Sequence, residues 1–341
     1  MNKSFSPGIT CAFVLFFFNF FCHHLSAQPT HITGFVDAYS HYEADKLSFS
    51  LGEQDLFITS EVSDRITFLG ESVFKYSASS PTLFDVSIER VVIKYNFKGN
   101  HNLLIGKHHT PVNYWNDTYH HGRVFFPTIF RPLLFSENII PLHTTGISIS
   151  GHDFGPLKFG YDLMAGNGIG SGDLTDNDKN KSFTVAAHCK PADKLRVGAS
   201  YYYDIISKGS MDHHTGQAIT SQVIQQLAGG SIAYFARKAE FLSEATFAIN
   251  KSDSLGTSTS FSMYAYAGYR LKEKIVPYIR FDLLDMKRDE VYFNNQNIIE
   301  YTGGIRYEIN YLAVVKLEYQ RIDYEFLKDT DMITAQFAIG F

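Results

Sequence analysis

The chain has 341 residues, a net charge of −5, 15% aromatic and 19% charged residues, and a mean hydropathy of −0.12. So mild a charge excludes a polyanion-binding surface, and no nucleic-acid partner is expected. Cys189 is the one cysteine outside the leader that carries Cys11 and Cys22, which excludes an intramolecular disulfide.

In chain order, Lys3 is followed by an apolar run from Ile9 to Phe21 and by Leu25-Ser26-Ala27 ahead of Gln28. That layout predicts a secretory signal peptide over residues 1–27, leaving 28–341 as the mature chain. Beyond Gln28, polar residues interrupt every apolar run, so any membrane passage must be made by strands.

Period-two alternation then runs to the end of the chain and predicts about sixteen strands. They fall near 31–43, 52–60, 64–77, 84–97, 101–108, 143–150, 156–166, 181–190, 194–206, 227–237, 239–250, 258–270, 274–286, 297–308, 312–325 and 331–341. In the last, Ile333, Ala335, Phe337, Ile339 and Phe341 share one face, with Thr334, Gln336 and Ala338 on the other. At Glu89-Arg90 the phase slips by one residue, which predicts a β-bulge. Every second connection is very short, whereas those near 109–142, 167–180, 207–226 and 287–296 are long. That parity and the even strand count predict an all-β fold: a transmembrane antiparallel β-barrel with tight turns at one rim and large loops at the other. Tyr76, Tyr95, Phe97, Tyr269 and Tyr307 near strand ends are expected in the interfacial girdles, in contact with outer-membrane lipid. A terminal aromatic on a clean last strand, Phe341, is the signal by which the barrel assembly machinery recognises such chains.

The connection over about 109–142 is the longest, and it holds the only tryptophan, Trp115. A loop so rich in large apolar groups is poorly solvated outside, so it is expected to fold into the lumen as an inward third loop. A pore selects by its width and by the charges at its narrowest section. The candidates are Arg65, Lys75, Arg90 and Lys94 as a basic ladder on early strands, with Asp117 and Glu137 opposing it from the loop. His120, His121, Arg123 and Arg131 are further candidates for contact with anions at the constriction. The competing reading is that these charges pair with one another and hold the loop down.

These segments resemble a known family. Gly34-Phe35-Val36-Asp37-Ala38-Tyr39, Ile105-Gly106-Lys107 running into His109-Thr110-Pro111, Asn113-Tyr114-Trp115-Asn116 and Tyr119-His120-His121-Gly122 look like the sixteen-stranded outer-membrane porins. The likeness is in particular to the phosphate-selective-porin-like proteins common in Bacteroidetes. It covers the mature chain in layout and residues 31–145 in motif. The resemblance implies that residues 109–142 narrow a water-filled channel for small hydrophilic solutes, and that the barrel assembles as a homotrimer.

Other chemistries leave weaker traces. The pairs His108-His109, His120-His121 and His213-His214 are adjacent on an extended chain, so each pair points to opposite sides and makes a poor metal site. No Gly-x-Ser-x-Gly nucleophile motif occurs, so an outer-membrane lipid or peptide hydrolase is the alternative rather than the leading reading. A non-conducting surface adhesion or structural barrel is the other. No cofactor is called for.

Overall fold

Alternating apolar and polar residues give each extended segment two unlike faces, and a ring of such segments can turn all its apolar faces outward. A computed structural model of the chain describes residues 29–77, 80–119, 122–169, 176, 178–211, 217–293 and 296–341. The leader predicted over residues 1–27 lies outside the described residues. The strands are β1 Thr30–Glu43, β2 Lys46–Ser63, β3 Ile66–Tyr76, β4 Phe84–Lys98, β5 His101–His109, β6 His143–Phe154, β7 Phe159–Gly166 and β8 Ser182–Ala192. They continue as β9 Leu195–Ile206, β10 Val223–Phe235, β11 Ala239–Ser252, β12 Gly256–Tyr269, β13 Ile275–Asp285, β14 Ile298–Asn310, β15 Ala313–Tyr324 and β16 Thr330–Gly340. Each pairs antiparallel with its sequence neighbours, and β1 pairs with β16 to close the barrel.

Closure satisfies every edge, which a lipid environment requires. At the seam the ladder extends to the last residue, where Gly34 and Phe341 exchange backbone hydrogen bonds of 2.9 Å. A Cβ at Gly34 would stand 2.5 Å from the Phe341 ring, so glycine makes room for the terminal aromatic.

The faces separate as the alternation requires. Leu317 is 51% exposed on the outside, whereas its neighbours Lys316 and Glu318 are 0% and 1% exposed on the inside. Phe49, Ile279, Phe337 and all five predicted girdle aromatics stand exposed on the outer wall. A continuous apolar outer surface around a closed barrel is a membrane-spanning surface, since a charge there costs about 2–4 kcal/mol near mid-bilayer.

The expected bulge is present: Glu71 pairs with Arg90 and Ser72 with Ile88, which leaves Glu89 as the extra residue. Strand β2 begins at Lys46 rather than 52, because Leu47, Phe49 and Leu51 continue the outward row across a second register shift. There Gly52 leaves space for Asp37, whose Oδ1 would lie 2.1 Å from any Cβ at that position, and the Glu53 amide donates to that oxygen at 2.9 Å. The slip broke the alternation and disguised the strand as a loop. Two long-loop-rim connections are as short as turns, 44–45 and 253–255.

Candidate functional site

The connection from β5 to β6 enters the lumen, as two short helical turns joined by irregular chain: α1, Tyr114–Thr118, and α2, Leu133–Ser136. Buried backbone without regular structure has amides and carbonyls that need partners. The wall supplies them with charged side chains. Glu244 on β11 accepts from the Tyr114 and Trp115 amides, Asp282 on β13 from Leu133 at 2.9 Å, and Glu318 on β15 from Ile129 at 2.5 Å. Lys316 donates to the Arg123 and Thr128 carbonyls at 2.7 and 3.1 Å. Arg280 donates to Phe130 O and Thr128 Oγ1, and it also pairs with Asp282 and Glu300, both at 2.6 Å. Arg306 reaches Pro127 O at 3.1 Å and pairs with Glu240.

Between these fastenings the loop's apolar side chains, Val112, Trp115, Phe126, Leu134 and Phe135, pack on inward Tyr202, Leu227, Leu242, Tyr264, Tyr266 and Tyr278. The inner wall is therefore not uniformly wet. Over β9–β13 it is the floor of a packed core.

At its far side the loop is fastened to β1 and β2. Gly122 N donates to Asp55 Oδ2 at 3.1 Å, and Arg123 pairs with Glu53 at 2.9 Å and with Asp37 at 3.6 Å. Burial opposes the charge on Arg123, but the Glu53 and Asp37 carboxylates outweigh it and raise its affinity for the proton. Arg131 is half-buried with its guanidinium 5.9 Å from the Phe126 ring centroid. Glu137 follows α2 and is half-buried; burial, then the nearby Glu300 carboxylate, pushes its carboxyl up. His120 and His121 lie outside the described residues.

The basic ladder is dispersed. Arg65 falls in the exposed β2–β3 turn at the tight-turn rim, not on a strand, because β2 runs on to Ser63 and the chain reverses at 64–65. Lys75 is exposed near the opposite end of β3. Arg90 is neutralised by Glu71, the two side chains being in contact. Lys94 is exposed beside Arg90 in a cavity of about 340 Å³ that also touches His31, Glu61 and Thr67. On β3 the levels of Lys94, Arg90 and Lys75 are those of Thr67, Glu71 and Lys75 itself, four residues or about 13 Å apart. Only Arg90 and Lys94 line a common cavity, and Lys75 lies outside it.

Asp117 faces another wall. Its Oδ2 accepts from both terminal nitrogens of Arg196 on β9 at 3.1 Å, and the same guanidinium lies 5.1 Å from the Tyr114 ring centroid. Around this pair two cavities meet, a narrow one of about 40 Å³ between α1 and β7–β10 and a larger one of about 290 Å³ opening toward the tight-turn rim. They share Asp117, Asp162, His188 and Arg196. The last three stand at inward positions of β7, β8 and β9, and their meeting with α1 leaves no mark on the sequence.

A second loop also folds inward. In 286–297 the Glu290 carboxylate accepts from Asn250 Nδ2 at 2.8 Å, from Ser258 Oγ at 2.9 Å and from Ser260 Oγ, and Tyr292 and Phe293 are buried with the third loop's core. The aromatic pair was the available sign, the same that marked residues 109–142.

Ser148 Oγ and His108 Nε2 are 2.8 Å apart, an arrangement reminiscent of a nucleophile and base. They are 4% and 6% exposed, so no substrate carbonyl reaches Ser148, and the bond ties β5 to β6. Among the described residues, no three His, Cys, Asp or Glu side chains are grouped to hold a metal ion.

No protein-family model matches the chain, and no curated protein matches it by sequence. Solved structures do match in fold. OmpT of Vibrio cholerae in its trimer form is 14% identical, with a TM-score of 0.65 over 93% of this chain and all of that one. An anion-selective porin from Comamonas acidovorans is 10% identical, TM-score 0.65, over 92% of this chain and 100% of that one. The outer-membrane channel DcaP of Acinetobacter baumannii is 12% identical, TM-score 0.64, over 93% and 98%. The architecture is thus that of outer-membrane porin-like barrels.

Proposed function

We propose that this chain is an outer-membrane porin: a water-filled channel through which small hydrophilic solutes diffuse passively, narrowed by residues 110–142. Residues 1–27 are its secretory leader, and Phe341 is its handle for the assembly machinery. The observation that carries the reading is the pair of adjoining cavities with charged linings, inside a barrel whose outer face is apolar. A sixteen-stranded barrel is wide enough for an aqueous lumen, and the inward loop reduces that lumen on one side. The neighbours named as a porin and a channel support the reading. The neighbour in trimer form supports a homotrimer.

Purified protein reconstituted in planar bilayers is expected to give stepwise conductance, with reversal potentials that report its ion preference. Folded barrels that insert but pass no current would overturn the reading in favour of a non-conducting surface barrel. The hydrolase alternative predicts turnover of lipid or peptide substrates by the purified barrel; the porin reading predicts none.

A further inference from the structure

The waist between α1 and β7–β10 has an unbalanced set of hydrogen-bonding groups. Arg196 is held by Asp117, which accepts from both of its terminal nitrogens, and lies against the Tyr114 ring. Asp162, on β7 and half-buried, has no hydrogen-bond or ion-pair partner among the described residues. Asn113 Oδ1, whose amide nitrogen is used by Thr246 at 2.9 Å, is a buried acceptor without a donor, and Ser200 Oγ is likewise buried and unpartnered. All three line the smaller cavity. Its floor is kept low by Gly198 and Gly229; a Cβ at Gly229 would stand 2.3 Å from Asn113 Oδ1.

What the waist lacks is therefore a compact donor with positive charge. A carboxylate or phosphate entering here meets Asp162 and Asp117 and finds the one guanidinium already paired. An ammonium group carries three N–H donors and no acceptor, which suits one carboxylate, one amide carbonyl and one hydroxyl. We infer that this waist is a binding subsite for the primary ammonium group of a small permeating solute, with Asp162 as its counter-ion. The inference rests on the porin reading for the word permeating, but the subsite stands on its own geometry. Two kinds of solute present that group, simple amines and amino acids. Exposed Lys158 and Lys190 at the mouth of the larger cavity are placed to take an amino acid's carboxylate.

The test is calorimetric titration of the full mature chain in non-ionic detergent with n-butylamine, L-alanine and butyrate at pH 7. Butylammonium is expected to bind and butyrate not to; alanine binding as well as butylammonium identifies amino acids as the source, and alanine failing to bind identifies simple amines. Asp162→Asn, which keeps shape and removes charge, should weaken ammonium binding roughly tenfold or more, the scale of one charge-assisted hydrogen bond. Its melting temperature should match that of the wild type, because Asp162 supports no other group. Butyrate binding as tightly as butylammonium, or Asp162→Asn binding unchanged, would overturn the subsite. Conductance without ammonium binding defeats the subsite alone; ammonium binding without conductance defeats the porin reading alone.

Discussion

Two stretches of the inner wall carry charges of both signs, and they use them differently. On β11–β15 the inward Glu240, Glu244, Arg280, Asp282, Arg306, Lys316 and Glu318 are buried and bonded to the third loop's backbone or to one another. On β7–β9 the inward Asp162, His188 and Arg196 border open cavities. The first set fastens and the second lines. Both stretches alternate in the same way, so direction alone does not reveal which role a charge has.

Removing what the fastening wall holds should have the largest effect. Deleting residues 115–135 should raise single-channel conductance severalfold, since the loop fills the lumen over β9–β15. Unchanged conductance would show that the passage never ran beside the loop. The deletion also bares Tyr264, Tyr266 and Leu242, so the barrel should melt at a lower temperature.

A point change sharpens the same contrast. Arg280→Met leaves Asp282 and Glu300 without their counter-charge in a buried site, a loss of about 3–5 kcal/mol. The melting temperature should fall, and the emission of Trp115, the only tryptophan, should shift to the red. Arg196→Met on the lining wall should leave both nearly unchanged and instead alter ion selectivity.

The second inward loop predicts a smaller effect. Glu290→Ala removes the acceptor that gathers Asn250, Ser258, Ser260 and the loop's own amides. Limited proteolysis should then cut within 286–297 while the strands stay protected.

The smallest effect is a titration. Glu137 is pushed up by burial and by Glu300, so it takes up its proton at a higher pH than an exposed glutamate. As pH falls from neutral the loop loses that negative charge first, and cation preference should decline. Glu137→Gln should make that step smaller and move the neutral-pH selectivity toward the low-pH value.

Much of the fold was legible because one signal, period-two alternation, sets strand, face and closure together. The bulge at Glu89 was legible because both flanking rows are strongly apolar. The one near Gly52 was not, since Asp37 from the neighbouring strand fills the space and nothing local announces it. At the site, the loop's inward course could be read from Trp115 and its apolar neighbours. The fastenings could not: Glu244 meets the Trp115 amide across 129 residues of chain, and backbone partners leave no mark on side-chain patterns. The dispersed ladder has the same cause. Strand faces place Lys75, Arg90 and Lys94 on the inner wall, but only register shows how far apart they stand.

Acrylamide quenching of Trp115 in lipid-reconstituted protein tests most directly whether the third loop is seated in the lumen. The seated loop predicts a shielded indole, quenched far less than free tryptophan, which becomes accessible in Arg280→Met. An indole in the wild-type barrel quenched as readily as free tryptophan would contradict the account.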